Sequence, residues 1–101
     1  MYVTITYSTG PQWLPNTPLL EQSRHALRAL ASHRTFLARL MDNGKLILGG
    51  PYTDGTGGMA LLEVKDKDEA EKILAEDPAI ASGVFIGEFH QFVKEFSRSK
   101  C

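Results

Sequence analysis

The apolar residues of this chain switch between a two-residue and a 3.6-residue repeat in an order that leaves few folds open. Residues 2–8 alternate, with Val3, Ile5 and Tyr7 projecting one way and Tyr2, Thr4, Thr6 and Ser8 the other, as in a strand. A helical pattern then starts at Thr17-Pro18, where threonine suits the N-cap, proline the first helical position and Glu21 the first turn. It runs to Asn43, and Gly44 supplies the stop. Such a helix has about 26 residues and measures about 39 Å. That is long for so small a chain, and a break is expected near Ser23 to Ala26. Lys45 to Gly50 and Met59 to Val64 form two strands joined by the turn-rich loop Tyr52 to Gly58. Asp66 opens a second helix with an Asp-x-x-Glu capping box that ends in Glu69, and Ala70, Ile73 and Leu74 form its inner face. Asp77-Pro78 ends it, because the residue before proline is pushed out of the helical region; Asp77 can also cap a short turn through Ile80. After Gly83 a last strand runs from Val84 to Val93, and residues 97–101 are expected to be a flexible tail. The order β-α-β-β-α-β predicts an α+β, ferredoxin-like fold: a four-stranded antiparallel sheet with both helices on one face.

The expected covering of that sheet is incomplete. Strand two carries Leu46 and Leu48 opposite Ile47. Strand three carries Met59 and Leu61 opposite Ala60, Leu62 and Val64, and strand four Phe85 and Phe89 opposite Val84, Ile86 and Phe92. Apolar residues on both faces call for a second cover, and a two-fold copy of the same sheet is the most economical one. A homodimer is expected, with Leu46, Leu48, Phe85 and Phe89, or their opposites, at its seam.

Composition narrows the partners. The 101 residues make one domain with a net charge of −1, 43% hydrophobic and 23% charged. No basic excess calls for nucleic acid or an anionic membrane surface, and no run approaches the ~18 apolar residues of a membrane span. Gly57-Gly-Met-Ala-Leu-Leu-Glu-Val64 lacks the aromatics an RNA-recognition strand needs, and no glycine-rich phosphate loop ending in Lys-Ser/Thr is present. The N-terminal segment is not expected to be a signal peptide. The single cysteine, Cys101, has no intrachain partner, which fits a cytoplasmic protein. His25 and His33 are two helical turns apart, about 12 Å, and His90 lies on another strand, so no metal site is expected.

One residue breaks the helical pattern. At 100° per residue, Ala26, Ala29, Leu30, Phe36, Leu37 and Leu40 all project within about 60° of His33. An imidazole aimed at a core needs a partner or a cavity.

The ordered set His33-Arg-Thr-Phe36-Leu37, Gly44-Lys-Leu-Ile-Leu-Gly-Gly50-Pro51, Glu69-Ala70, Asp77-Pro78 and Gly83-Val-Phe resembles the YCII-related (YciI-like) family over roughly residues 26–93. The resemblance implies a dimeric α/β barrel and a His–Asp pair facing a pocket, which falls on His33 and Asp77. It also implies, from a few relatives, elimination or isomerisation of small cyclic or chlorinated aromatic-derived compounds, without a cofactor. Residues 9–24 are longer than the usual pattern and bear on the pocket mouth.

Each candidate residue has two readings. A carboxylate on one nitrogen of His33 leaves the other as a general base. The same pair is also what a turn cap and a buried histidine need for purely structural reasons. Gly49, Gly50 and Pro51 either admit a ligand to backbone amides or end a strand. Tyr7 either offers a pocket hydroxyl or belongs to the core. Trp13 and Leu14 either tuck onto the domain's surface or act as a lid or subunit contact. The function expected is acid–base lyase or isomerase chemistry through His33 and Asp77 on a small-molecule ligand; the alternative is a homodimeric module that binds a small molecule and transforms nothing.

Overall fold

The structure, a computed structural model, describes residues 1–98. Residues 99–101, including Cys101 and most of the expected tail, lie outside the described residues. The elements are β1 (Tyr2–Thr9), α1 (Arg24–Asp42), β2 (Leu46–Pro51), β3 (Gly57–Glu63), α2 (Lys67–Glu76), α3 (Pro78–Ala81) and β4 (Phe85–Phe92), with a single 3-10 turn at Leu19–Glu21. Among the described residues the strands form one sheet in the order β2-β3-β1-β4, antiparallel at every pairing. This is the ferredoxin-like arrangement.

The first helix is shorter than its pattern. Thr17-Pro18 does not start it: Pro18 has φ −58° and ψ 153°, and the Thr17 hydroxyl donates to the Pro15 carbonyl instead of capping. Ser23 is the true N-cap, accepting from the Ala26 amide at 3.0 Å, and Gly44 at φ 77° ends the helix. What holds the preceding loop is Gln22, only 5% exposed. Its Oε1 accepts from the Leu14 amide at 2.9 Å, while its Nε2 donates to the carbonyls of Leu14 at 2.8 Å and Thr17 at 3.1 Å. A buried amide that satisfies three backbone groups folds residues 14–22 into a closed loop, and so delays the helix.

The second helix starts as its capping box requires, with Asp66 accepting from the Glu69 amide at 2.9 Å. Glu69 reaches back one residue beyond the box to the Lys65 amide and also pairs with the Lys45 ammonium. Asp77 then serves two helices: it is the C-cap of α2 and the N-cap of α3, accepting from the Ala79 amide at 2.9 Å.

The core lies between the helices and one sheet face, where Val3, Ile5, Ala60, Leu62, Leu46, Leu40, Ala70 and Ile73 are buried. α2 and α3 approach β4 over Gly87, where an added Cβ would lie 2.5 Å from Ile80 and 2.8 Å from Leu74. A second small cluster, Ala26, Ala29 and Val84, takes Trp13 and Phe85 against it. Trp13 thus tucks onto the chain's own surface.

The assignment of strand faces needs correcting on β2, whereas on β4 Phe85 and Phe89 separate from Ile86 and Phe92 as expected. Leu46 pairs with Leu62 but Leu48 pairs with Leu61, so one extra residue, Ile47, is bulged out between them. The bulge sends Leu46 into the core and turns Leu48 to the opposite face. On β4 it is Phe85 and Phe89 that pack on the core, while Ile86 and Phe92 point away. The face without helices therefore carries Leu48, Met59, Leu61, Ile86 and Phe92 among Thr4, Thr6, Glu88 and His90. Leu48 and Ile86 are each 51% exposed and Phe92 43%. No helix among the described residues is long and apolar enough to cross a membrane.

Candidate active site

His33 sits on the core side of α1, ten residues into it, and is 7% exposed. α1 packs beside α3, whose N-cap carboxylate therefore comes within reach of the ring. His33 Nδ1 lies 2.8 Å from Asp77 Oδ1 and 2.9 Å from Oδ2. The Tyr7 hydroxyl donates to Oδ2 and the Ala79 amide to Oδ1, so three donors converge on a carboxylate that is 1% exposed. Burial first, then the charge of Asp77 and the hydrogen bond to it, push the Tyr7 phenol well above its usual range. Tyr7 is therefore a fixed donor.

The ring is held by its neighbours as well as by Asp77. Tyr7 stands edge-on to it at 5.2 Å and Phe85 at 5.6 Å, the interplanar angles being 79° and 85°. Since Asp77 accepts at Nδ1, the neutral ring carries its proton there and presents a lone pair at Nε2. Nε2 has no hydrogen-bond partner among the described residues, yet no buried polar side-chain atom is left unpaired. Nε2 is therefore the atom that reaches the open space next to it.

That space is a cleft of about 560 Å³ between α1 and the β2–β3 hairpin, in the size range of small-molecule sites. Its lining includes Tyr7 and His33, the Gly49-Gly50-Pro51 strand end, and Trp13 and Phe85, whose rings are 6.0 Å apart. Of the predicted site residues, Tyr7, His33, Gly49, Gly50 and Pro51 line it, whereas Asp77 stands behind the histidine; of the loop pair, Trp13 lines it and Leu14 does not. Of the three residues at the strand end, Gly49 pairs with Ala60 on the core side, and an added Cβ there would meet the Ala60 side chain at 3.4 Å. Gly57, at φ 152°, closes the far end: a Cβ would lie 1.9 Å from the Tyr7 carbonyl oxygen, so only glycine allows the hairpin to meet β1 there.

The other histidines stay outside. His25 Nε2 is 3.1 Å from the Ser82 carbonyl oxygen, and exposed His90 lies 3.8 Å from Glu88. Among the described residues no three His, Cys, Asp or Glu side chains are grouped to hold a metal ion. Three participants carried little sequence signal. Gln22 and Tyr52 sit in loops, and Arg34 is the exposed neighbour of a buried histidine, yet Arg34 and Tyr52 line the cleft and Gln22 ties down the loop that carries Trp13.

The sheet order and the position of the His–Asp pair define a small ferredoxin-like α+β protein with its cleft on the helical side. The chain belongs to the YCII-related family, whose domain model matches residues 1–92. Over 54 residues it is 41% identical to the uncharacterized protein YjpA of Bacillus subtilis (strain 168), a match covering 54% of this chain and 64%, just under two thirds, of that protein. Two solved structures share the fold. One is 5-chloro-2-hydroxyhydroquinone dehydrochlorinase (TftG) from Burkholderia phenoliruptrix AC1100 in complex with 2,5-dihydroxybenzoquinone, with a TM-score of 0.62 at 19% identity over 92% of this chain and 94% of that one. The other is muconolactone isomerase, with a TM-score of 0.72 at 12% identity over 100% and 96%. At these identities the likeness is one of fold.

Proposed function

We propose that the protein is an acid–base enzyme of the lyase or isomerase type, acting on a small cyclic or aromatic-derived compound with His33 as base and Asp77 as the group that orients it. The observation that carries this reading is the asymmetric imidazole: Nδ1 engaged by both oxygens of a buried carboxylate, and Nε2 unpartnered beside an apolar cleft. Nε2 takes a proton from an acidic C–H of the bound compound. The electron pair left on carbon forms a new double bond, either as a leaving group departs or as an existing double bond shifts. The imidazolium keeps its Nδ1–H on Asp77, whose charge stabilises it, and returns the Nε2 proton to solvent or to another carbon of the ring. The printed names of the two structural neighbours, a dehydrochlorinase and an isomerase, support this class of reaction.

The site is proposed to work in a homodimer whose seam is the helix-free sheet face, since Leu48, Leu61, Ile86 and Phe92 form an apolar surface that a second copy covers.

The test is deuterium exchange. 5-Chloro-2-hydroxyhydroquinone, muconolactone and a panel of small lactones and cyclic ketones are incubated with the protein in D₂O and followed by proton NMR. The protein is expected to accelerate C–H exchange, elimination or isomerisation of at least one compound, and His33→Gln to abolish this while unfolding cooperatively. A panel left untouched by the protein, or turned over equally well by His33→Gln, overturns the assignment.

A further inference from the structure

We propose that the cleft selects an anionic ligand, a ring compound bearing a carboxylate or an ionised enol, with Arg34 as the residue that binds the anion. This deepens the reading of the cleft given above and rests on it.

The argument begins with the charges on the cleft wall. Among the described residues of the lining, Arg34 carries the one permanent charge, and no Asp or Glu is present. Asp77 lies behind the imidazole, already saturated by His33, Tyr7 and Ala79. Arg34 itself makes no ion pair among the described residues. A guanidinium left without a carboxylate, on a wall otherwise built from Leu30, Leu37, Ala38 and Met41 of the same helix, is an electrostatic request for a negative charge in the ligand.

Arg34 also stands in a useful place. It follows His33 directly on a rigid helix, so their α-carbons are about 3.8 Å apart. Their side chains leave the helix about 100° apart, the imidazole towards the core and the guanidinium towards solvent, yet both line the cleft, and a ligand whose anionic group sits a few bonds from its acidic C–H can engage both. The planar fork of arginine matches a carboxylate through two parallel hydrogen bonds, which fixes the orientation of the ring as well as adding affinity. Pairing the anion also favours proton removal, because an unpaired carboxylate makes a neighbouring C–H harder to ionise. The aromatic part of the lining, Trp13, Tyr52 and Phe85, suits the flat apolar body of such a molecule.

The experiment uses three probes of one shape and different charge: benzoate, benzamide and benzamidine. Each is titrated into the whole protein, and affinity is read from the His33 ring signals in heteronuclear NMR spectra. Benzoate is expected to bind roughly five- to tenfold more tightly than benzamide, and benzamidine most weakly. Arg34→Gln is expected to bring the benzoate-to-benzamide ratio close to one without changing benzamide affinity, and Arg34→Lys to restore part of the preference. Arg34 is exposed, so these variants fold. Equal binding of acid and amide, failure of both to bind, or a preference that survives Arg34→Gln overturns the proposal. If acid and amide move the His33 signals equally, charge selection is wrong while the base assignment stands; that assignment fails separately, when His33→Gln retains deuterium exchange.

Discussion

The Tyr7 hydroxyl donates to Oδ2 of Asp77 at 3.1 Å, joining the end of the first strand to the start of α3 across 70 positions of the chain. Tyr7→Phe keeps the ring that stands against His33 but removes this donor. A buried hydrogen bond to a charged acceptor is worth roughly 1.5–3 kcal/mol, and a loss of that order is expected in urea unfolding. The phenol also adds a dependence on pH. Its folded pKa is raised by burial first and by Asp77 second, so its contribution is fully present below the unfolded value of about 10 and is lost as pH rises beyond it. Between about pH 9 and about pH 11 the parent protein is expected to lose stability more steeply than Tyr7→Phe. Parallel slopes would show that the phenol is not held neutral by the fold.

Asp77→Asn separates the two duties of that side chain. Asparagine is as good an N-cap as aspartate, so α3 is expected to stay formed. Its amide offers only one acceptor oxygen, so His33 no longer has two acceptor atoms and a negative charge at Nδ1. Turnover is expected to fall by roughly 10²–10⁴-fold, with cooperative unfolding preserved. Circular dichroism together with the deuterium-exchange assay reads both effects in one preparation. A variant that exchanges at the parent rate would mean that Asp77 serves structure alone.

Gln22→Ala removes the amide that closes residues 14–22. Leu14 then has an unpaired N–H and carbonyl, and the cost is expected to be about 1–3 kcal/mol. The damage should stay local. Trp13, the single tryptophan, packs on Phe85 at the end of this loop, so its fluorescence is expected to shift to the red before the far-ultraviolet dichroism changes. Coincident transitions would show that the loop and the sheet melt as one unit.

The proposed seam is tested at its two edges. Leu48 lies on β2 and Ile86 on β4, at opposite borders of the sheet, and both point away from the helices. Light scattering on the parent protein is expected to give twice the chain mass. Leu48→Lys combined with Ile86→Glu is expected to give the chain mass, because burying either charge without a partner costs more than a large apolar side chain gains, about 1.5–3 kcal/mol each. A parent protein that scatters as a monomer at every concentration removes the dimer from the account.

The order of strands and helices follows from periodicity, because Val3, Ile5 and Tyr7 on one element and Ala70 and Ile73 on another announce which side they bury. His33 stood out for the same reason, as a polar ring in an apolar row. The bulge at Ile47 had no such signal: Leu46, Ile47 and Leu48 are all large and aliphatic, so nothing in their chemistry marks the point where the faces exchange. The break expected near Ser23 is where α1 starts; the pattern extends back to Thr17-Pro18 because those residues have good local chemistry, whereas the competing hydrogen bonds of Gln22 form only when the loop closes. Arg34 was hidden by its exposure, since a charged residue on the outer side of a helix is ordinary until the hairpin opposite turns its surroundings into a cleft.

Asp77 begins α3 and steers His33 with the same two oxygens, and this bears on how such proteins change over generations. A descendant that gave up the proposed reaction would still need the carboxylate to start its third helix, so loss of that chemistry would not free the position to drift. The imidazole packs between Tyr7 and Phe85 and bonds to Asp77 but caps no helix, and a glutamine there can fill the space and bond to Asp77 while removing the base. Decayed copies of this protein should therefore keep an intact Asp-Pro corner beside a substituted His33. On the proposed mechanism, the residue at the position of His33 is the one to compare among family members of unassigned activity.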